Sequence, residues 1–483
     1  MSTTDAGSSR RRRPPKPKRK ALRVDEVYRR SAAGGFRARN PLIVIHGILG
    51  ARLVVGAGGR SVWGDFRKGR LVRPDAEGVR QVALPMRLGA PLEELRGVAR
   101  PDGTLGQVSG TLAGIPIRPR IYGNVMQALG VASYSDTHAR GSLLGRHETA
   151  HDSVAFEFNY DWRRSLDESA GELLRFIRRA TKIVQATRGT TGRIKFDIVA
   201  HSMGGMLIRY FLRHGDRLLS YADTPPRPTW AGAKYVERVV IAATPNAGSL
   251  FALDRLVAGL PGTPITPRYS PEVLGTMPAV YQLLPRTRYT PVVDGRGRGL
   301  DVYDASVWHD MGWGLAGVGD VSLGQLLPGL ASEAERRETA GEHLEKCLRS
   351  AAALHRSLDT PERPPETLQF DYFLSDSLTT PRTARAVPGQ PFVEPVEYGP
   401  GDRTVLRTSV LLDEREDGDW TGRLRTPLSW RSLTFLTGTH QGVLQHPAFL
   451  DRVLFLLLDA PPPGGNGPPV VCGGATRTRA SRV

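Results

Sequence analysis

The sequence predicts an α/β fold: a mostly parallel sheet flanked by helices, carrying long insertions. Three observations predict it. Apolar runs recur at "PLIVIHG" (41–47), "KFDIVA" (195–200) and "VERVVIAATP" (236–245), as strands buried on both faces require. Amphipathic stretches with helical spacing alternate with these runs. Gly47 ends the first run and Pro245 the third, where strands hand over to loops.

Taken in order, "PLIVIHG" reads as a central parallel strand and "SVAFEFNYDW" (153–162) as a second. "SLDESAGELLRFIRRATKIVQ" (165–185) follows as a helix, with Ser165 as N-cap and Leu173, Ile177 and Val184 near one face. "KFDIVA" is the third strand, "MLIRYFLRHG" (206–215) its helix, and the run at 236–245 the fourth strand. From 250 to 330 the chain is rich in Gly, Pro and Trp without a clear period, and a long helix is expected at 331–357. Sheet-like runs return at "LQFDYFL" (368–374) and "RSLTFLTG" (431–438), before a last helix at 447–458. The expected organisation is a disordered basic tail (1–38) and a core (39–249) with an insertion at 51–150. A cap or lid insertion (250–365), a second core part (366–459) and a disordered tail (460–483) complete it.

The chain of 483 residues has a formal charge of +18, which suggests nucleic acid until the charge is located. Residues 1–30 hold eleven Lys/Arg against three acids, and residues 460–483 hold three Arg and no acid. The two tails thus supply eleven of the eighteen charges, and the body is only mildly basic. No nucleic acid is expected as a partner. The head "SSRRRRPPKPKRK" has the composition of a solvated, disordered segment that can meet an anionic membrane peripherally. No apolar run has signal-peptide length, and "VLFLLL" (453–458) is far short of the ~20 residues of a membrane span. With only Cys347 and Cys472, a structural disulfide is not expected and a cytoplasmic location is favoured.

The chemistry centres on "VAHSMGG". Ser202 lies between a strand and a helix, with small residues two before and two after it, Ala200 and Gly204. That A-x-S-x-G pattern is what a nucleophile elbow needs, because its serine sits on a turn too sharp for larger neighbours. A turn serine that merely caps the helix is the bland alternative. The fold that uses such elbows builds its oxyanion hole from two amides. One belongs to the residue after the serine, here Met203; the other belongs to the loop after an early strand. "HGILG" (46–50) stands where that loop belongs, with Leu49 as the donor and Ile48 as its rival. The acid and the base should follow in the order Ser, Asp, His. Asp402 in "YGPGDRTVLRTS" and His440 in "LTGTHQGVLQHP" are the candidates, with Asp376 and His446 as rivals. His201, beside the serine, is expected to pack or face solvent, because adjacent residues on an elbow point different ways. No metal is needed and no cofactor motif is present.

These residues resemble the lecithin:cholesterol acyltransferase and phospholipid:diacylglycerol acyltransferase family of α/β hydrolases. The matching pieces are "IVIHGILGARL", "NYDWRRS", "VAHSMGGM", "VVIAATPNAGS", "MPAVYQLLP", "TPRT", "GDRTV" and "THQGVLQHP", in order along most of the chain. The resemblance implies Ser202 as nucleophile, Asp402 as acid, His440 as base, and Leu49 and Met203 as oxyanion donors. It makes Asp161 and Arg163 scaffold residues of the active-site floor, and it likens "SVWGDF" to a lid or membrane-facing segment in which Trp63 meets lipid. Arg403 departs from the Gly or Asp usual after the acid, and "TPNAGS" from a more Gly-rich or Trp-bearing turn. The signal peptide and disulfides of secreted members are absent. The expectation is therefore a serine-dependent lipid O-acyltransferase or lipase acting on a glycerolipid ester through an acyl-serine. A soluble carboxylesterase for smaller esters is the alternative.

Overall fold

A computed structural model describes residues 39–66, 80–104, 109–112, 115–117, 135–136, 154–222, 224–262, 268–415 and 424–458. Both expected disordered tails and half of the expected insertion at 51–150 lie outside the described residues.

Seven parallel strands form the central sheet. In chain order they include β1 (Leu42–Ile45), and, after the small strands β2 (Ala51–Val55), β3 (Arg60–Trp63) and β4 (Arg100–Thr104), the strands β5 (Ser135–Asp136), β6 (Val154–Phe158), β7 (Phe196–His201), β8 (Val236–Ala242) and β9 (Gln369–Ser375). A hairpin of β10 (Leu378–Arg385) and β11 (Glu394–Gly401) intervenes before the last sheet strand, β12 (Ser432–Leu436). The spatial order is β12-β9-β8-β7-β1-β6-β5, and every pairing is parallel. Crossovers between parallel strands need helices on the sheet faces, which is why the central runs are apolar throughout. Along β1, Ile43 and Ile45 point into one core and Leu42 and Val44 into the other. Helices α1 (Leu166–Arg188), α2 (Met203–His214), α3 (Leu250–Ala258) and α4 (Glu333–Asp359) contribute to the first core. After the single turn-and-a-half of α5 (Arg407–Leu411), helix α6 (Pro447–Leu458) fills the second with Phe449, Val453 and Leu457. No helix of the described residues is long and apolar enough to cross a membrane.

Several boundaries moved for physical reasons. Strand β8 stops at Ala242 rather than Pro245, because Ala243 takes a left-handed backbone (φ 51°) and turns the chain. Ser165 stands at the N-cap of α1, but its hydroxyl does not cap the helix. It is engaged by the buried Gln282 amide (2.7 Å) and by Asp167 instead. Helix α4 begins two residues later than expected, at a capping box of Ser332 and Glu335. Between α3 and α4 the stretch without a clear period forms short helices around buried Trp308 and Trp313. Cys347 lies buried on α4 and Cys472 falls outside the described residues.

Residues 159–165 tie these layers together. Arg163 is fully buried and forks onto both oxygens of Asp161 (2.8 and 2.7 Å). Its remaining donors reach the carbonyls of Val82 (2.8 Å) and Ala99 (2.7 Å), so one guanidinium pins two distant loops. Trp162 donates to the carbonyl of Ala51 (3.0 Å) and Tyr160 to that of His46 (2.8 Å). A buried charge whose partner is removed costs far more than the pair contributes. Replacing Arg163 by Leu should therefore lower unfolding free energy by about 3–5 kcal/mol, read as a shift of the urea midpoint at unchanged slope. A loss below about 1 kcal/mol would mean that Asp161 finds another partner.

Candidate active site

Between β7 and α2 the chain reverses within one residue. Ser202 holds φ 52° and ψ −127°, a backbone that side chains rarely adopt. Its amide donates to the carbonyl of Ala242 (2.9 Å). Its carbonyl accepts from the amide of Gly205 (2.9 Å) and from the hydroxyl of Thr244 (2.8 Å). The glycines after it are required by contact. A Cβ at Gly204 would lie 2.5 Å from the carbonyl oxygen of His46, and one at Gly205 would lie 1.9 Å from Thr244 Oγ1. Helix α2 can therefore start flush against β1 and β8 only with bare backbone there.

The loop after β1 is packed on the serine from the other side. A Cβ at Gly47 would come within 2.8 Å of Ser202 Cβ. Leu49 takes φ 62°, and the turn is closed by the Gly50 amide on the Gly47 carbonyl (3.2 Å). His46 is buried and stacked flat on Tyr160 (centroids 4.3 Å, interplanar 10°), with Nδ1 2.7 Å from the Gly47 carbonyl. Trp63 corrects one expectation. Its ring does not face lipid but is 5 % exposed, packed edgewise on Trp162 and against Tyr269. A buried indole N–H needs an acceptor, and it takes the carbonyl of Leu49 (3.1 Å). Trp63 thus props the loop after β1.

Asp402 and His440 arrive from the far side of the sheet. His440 Nε2 is 2.8 Å from Ser202 Oγ, and His440 Nδ1 is 2.7 Å from Asp402 Oδ2. With a carboxylate at Nδ1, the neutral ring carries its proton there, leaving Nε2 to accept from the serine. The other carboxylate oxygen of Asp402 accepts from the amides of Thr404 (2.9 Å) and Val405 (2.7 Å). The His440 amide donates back to the Asp402 carbonyl (3.0 Å). Arg403, next to the acid, sits at φ 76°, and its amide is held by Thr380 Oγ1 (2.9 Å). A left-handed position there explains why Gly or Asp suits it better than Arg.

The rivals lie elsewhere. Asp376 faces Arg407 (3.8 Å). His446 accepts from the Ala448 amide (3.1 Å) at the entrance of α6. His201 is packed, with Nε2 3.2 Å from the His440 carbonyl and the two rings 5.0 Å apart. Ile48 and Leu49 are both half-buried, and among the described residues the amides of Leu49 and Met203 have no protein acceptor. Thr244 and Thr380 were missed by sequence reasoning. Each is a buried threonine, Thr244 in the loop after β8 and Thr380 on β10, and only the folded register shows which backbone group its hydroxyl meets. Among the described residues no cluster of His, Cys, Asp or Glu could hold a metal ion.

Burial keeps His46 and His201 beside the site, and His343 on α4, neutral. It lowers His46 to about 4, His201 to about 3 (His440 beside it adding to the effect) and His343 to about 4. An unfolded histidine titrates near 6.5, so the unfolded chain takes up protons first as pH falls. The stability these residues contribute is fully present above pH 6.5 and is lost progressively from there toward pH 4. For His46 alone the loss reaches on the order of 3 kcal/mol. Asp197, raised by burial to about 6, works in the opposite direction but is outnumbered. The melting temperature should therefore fall steadily from pH 7 to pH 4.5, with a shallower slope in His46→Gln; a flat profile would rule this out.

Residues 149–314 match the sequence model of the lecithin:cholesterol acyltransferase family. That segment contains Ser202 but neither Asp402 nor His440. No curated protein matches the chain. Among solved structures, the protein in the crystal structure of the Tle4–Tli4 complex is 14 % identical, with a TM-score of 0.53 over 88 % of this chain and 100 % of that one. The mature lipase BlEst2 of Bacillus licheniformis (11 % identical, TM-score 0.32, 87 % and 92 % covered) also aligns. So does lipase 1 of Pelosinus fermentans (13 %, 0.33, 88 % and 99 %). Only the first of these likenesses is close enough to bear on the fold. With a seven-stranded parallel sheet and a serine on the β7–α2 turn, the chain has an α/β-hydrolase fold in which residues 149–314 are similar to the lecithin:cholesterol acyltransferase family.

Proposed function

We propose that the chain is a serine-dependent ester hydrolase or O-acyltransferase whose acyl donor is a glycerolipid ester. The observation that carries this reading is the unbroken line of hydrogen bonds from Ser202 Oγ through the His440 ring to Asp402. The family match at 149–314 supports a lipid ester as the substrate class.

In this reading Ser202 Oγ attacks the ester carbonyl while His440 Nε2 takes its proton. Buried Asp402 orients the ring and stabilises the imidazolium that forms. The new oxyanion is held by the amides of Met203 and Leu49. His440 then returns the proton to the leaving alcohol, and the acyl group stays on Ser202 as an ester. A second hydroxyl compound, deprotonated by His440, attacks that ester and frees the serine. Water in that role gives a fatty acid; a lipid alcohol gives a new ester. Burial lowers both His46 and His201, which makes them weak bases and leaves the proton transfer in this reading to His440.

The test is mass spectrometry of products after incubation with a phosphatidylcholine, with and without a sterol or diacylglycerol. New ester formed only with the alcohol identifies a transferase, and fatty acid alone a lipase. Ser202→Ala should lower either rate by at least about 10⁴-fold, and Asp402→Asn by about 10³–10⁴-fold, at unchanged melting temperature. Turnover by wild type that survives Ser202→Ala would sink the reading.

A further inference from the structure

We propose that Thr244 aims the oxyanion donor of Met203, acting through the Ser202–Met203 peptide as a positioning residue. This rests on the acyl-serine reading above and adds to it a residue that makes no contact with the substrate.

The argument is one of rigid geometry. The carbonyl of Ser202 and the N–H of Met203 belong to a single planar trans peptide, in which they point in opposite directions. Whatever fixes one fixes the other. Thr244 Oγ1 donates to that carbonyl at 2.8 Å, and the Gly205 amide reaches it at 2.9 Å. Two donors therefore hold the oxygen away from the site, and the Met203 N–H is turned toward the space beside Ser202 Oγ. Helix α2 itself supplies the Gly205 donor; the Thr244 donor comes from a different strand-end loop.

The surroundings are built to keep that hydroxyl in place. Thr244 is fully buried, and its own carbonyl accepts the Asn246 amide at 2.9 Å. The preceding residue, Ala243, takes φ 51° to direct the loop toward the elbow, and its amide is anchored on the Phe373 carbonyl (2.8 Å). Gly205 leaves the space that the hydroxyl occupies, since any Cβ there would lie 1.9 Å from it. Ser202 itself has φ 52° and ψ −127°, a sparsely populated backbone that neighbouring contacts must hold. Without the hydroxyl the peptide keeps one restraint and gains freedom to rotate about ψ of Ser202. An oxyanion donor acts by being aimed before the charge appears, so that freedom weakens transition-state binding and leaves ground-state binding alone.

The test compares wild type with Thr244→Val, which keeps the shape and removes the donor, and Thr244→Ser, which restores it. With p-nitrophenyl butyrate, Thr244→Val should lower kcat by about 10–100-fold with KM within twofold, at a melting temperature within a few degrees of wild type. Phosphonylation of Ser202 by a fluorophosphonate should slow by a similar factor. Thr244→Ser should recover most of both rates. Equal rates in wild type and Thr244→Val would overturn the inference, as would a Thr244→Ser variant as slow as Thr244→Val. A wild type that neither turns over the ester nor reacts with the fluorophosphonate, with Ser202→Ala as the blank, would instead remove the acyl-serine reading itself.

Discussion

Everything at the candidate site depends on holding one non-glycine residue in a left-handed backbone at the end of β7. That conformation costs on the order of 1–3 kcal/mol and persists only where the surroundings over-determine it. Here three glycines, at 47, 204 and 205, remove the side chains that would push the turn open. A hydrogen bond to the Ala242 carbonyl, and others from Gly205 and Thr244, fix both ends of the residue. The strain is useful because it lifts Ser202 Oγ off the sheet to meet an imidazole. A relaxed turn would lay the hydroxyl along the helix as a cap.

Two supports meet at that turn. From β1, the 46–50 loop is propped by Trp63 and Tyr160. From β8, the loop 243–249 reaches across to the acid side. Asn246 takes a hydrogen bond from Arg209 of α2 (2.7 Å) and donates to the Val410 carbonyl of α5 (2.6 Å). Ser409 Oγ in turn donates to the Gly248 carbonyl (2.6 Å). The helix that begins at the serine and the helix that follows the acid are thus joined by a single side-chain amide. Arg286 extends this buried network by donating to the Asn246 carbonyl (2.8 Å) and forking onto Asp359.

What was legible in the sequence is what local pattern encodes. The buried strands read from apolar runs, and the β7–α2 turn from the small residues around Ser202. Asp402 and His440 stood out because each sits in a Gly-bearing loop after a sheet-like run. Long-range hydrogen bonding was not legible. Thr244 and Asn246 are ordinary loop residues, and Thr380 an ordinary strand residue, until β7, β8 and β9 come into register. Trp63 was placed toward lipid by the likeness of "SVWGDF" to a lid segment, whereas its N–H takes the carbonyl of Leu49, fourteen residues earlier. The short antiparallel strands β2, β3 and β4 also escaped notice, their pairings being irregular and their patterns brief.

The three side chains that meet here lie far apart along the polymer. Ser202 Oγ receives its ring contact from a residue 238 positions later, and the ring its carboxylate from one 38 positions earlier than itself. Ribosomes add about 5–20 residues each second, so a growing chain exposes the serine for roughly 10–50 seconds before His440 exists. During that interval the hydroxyl has no base and is as inert as any other serine. In the acyl-serine reading the order of synthesis therefore acts as a safety catch: reactivity toward esters arises last, once the chain has reached β12 and the imidazole that follows it.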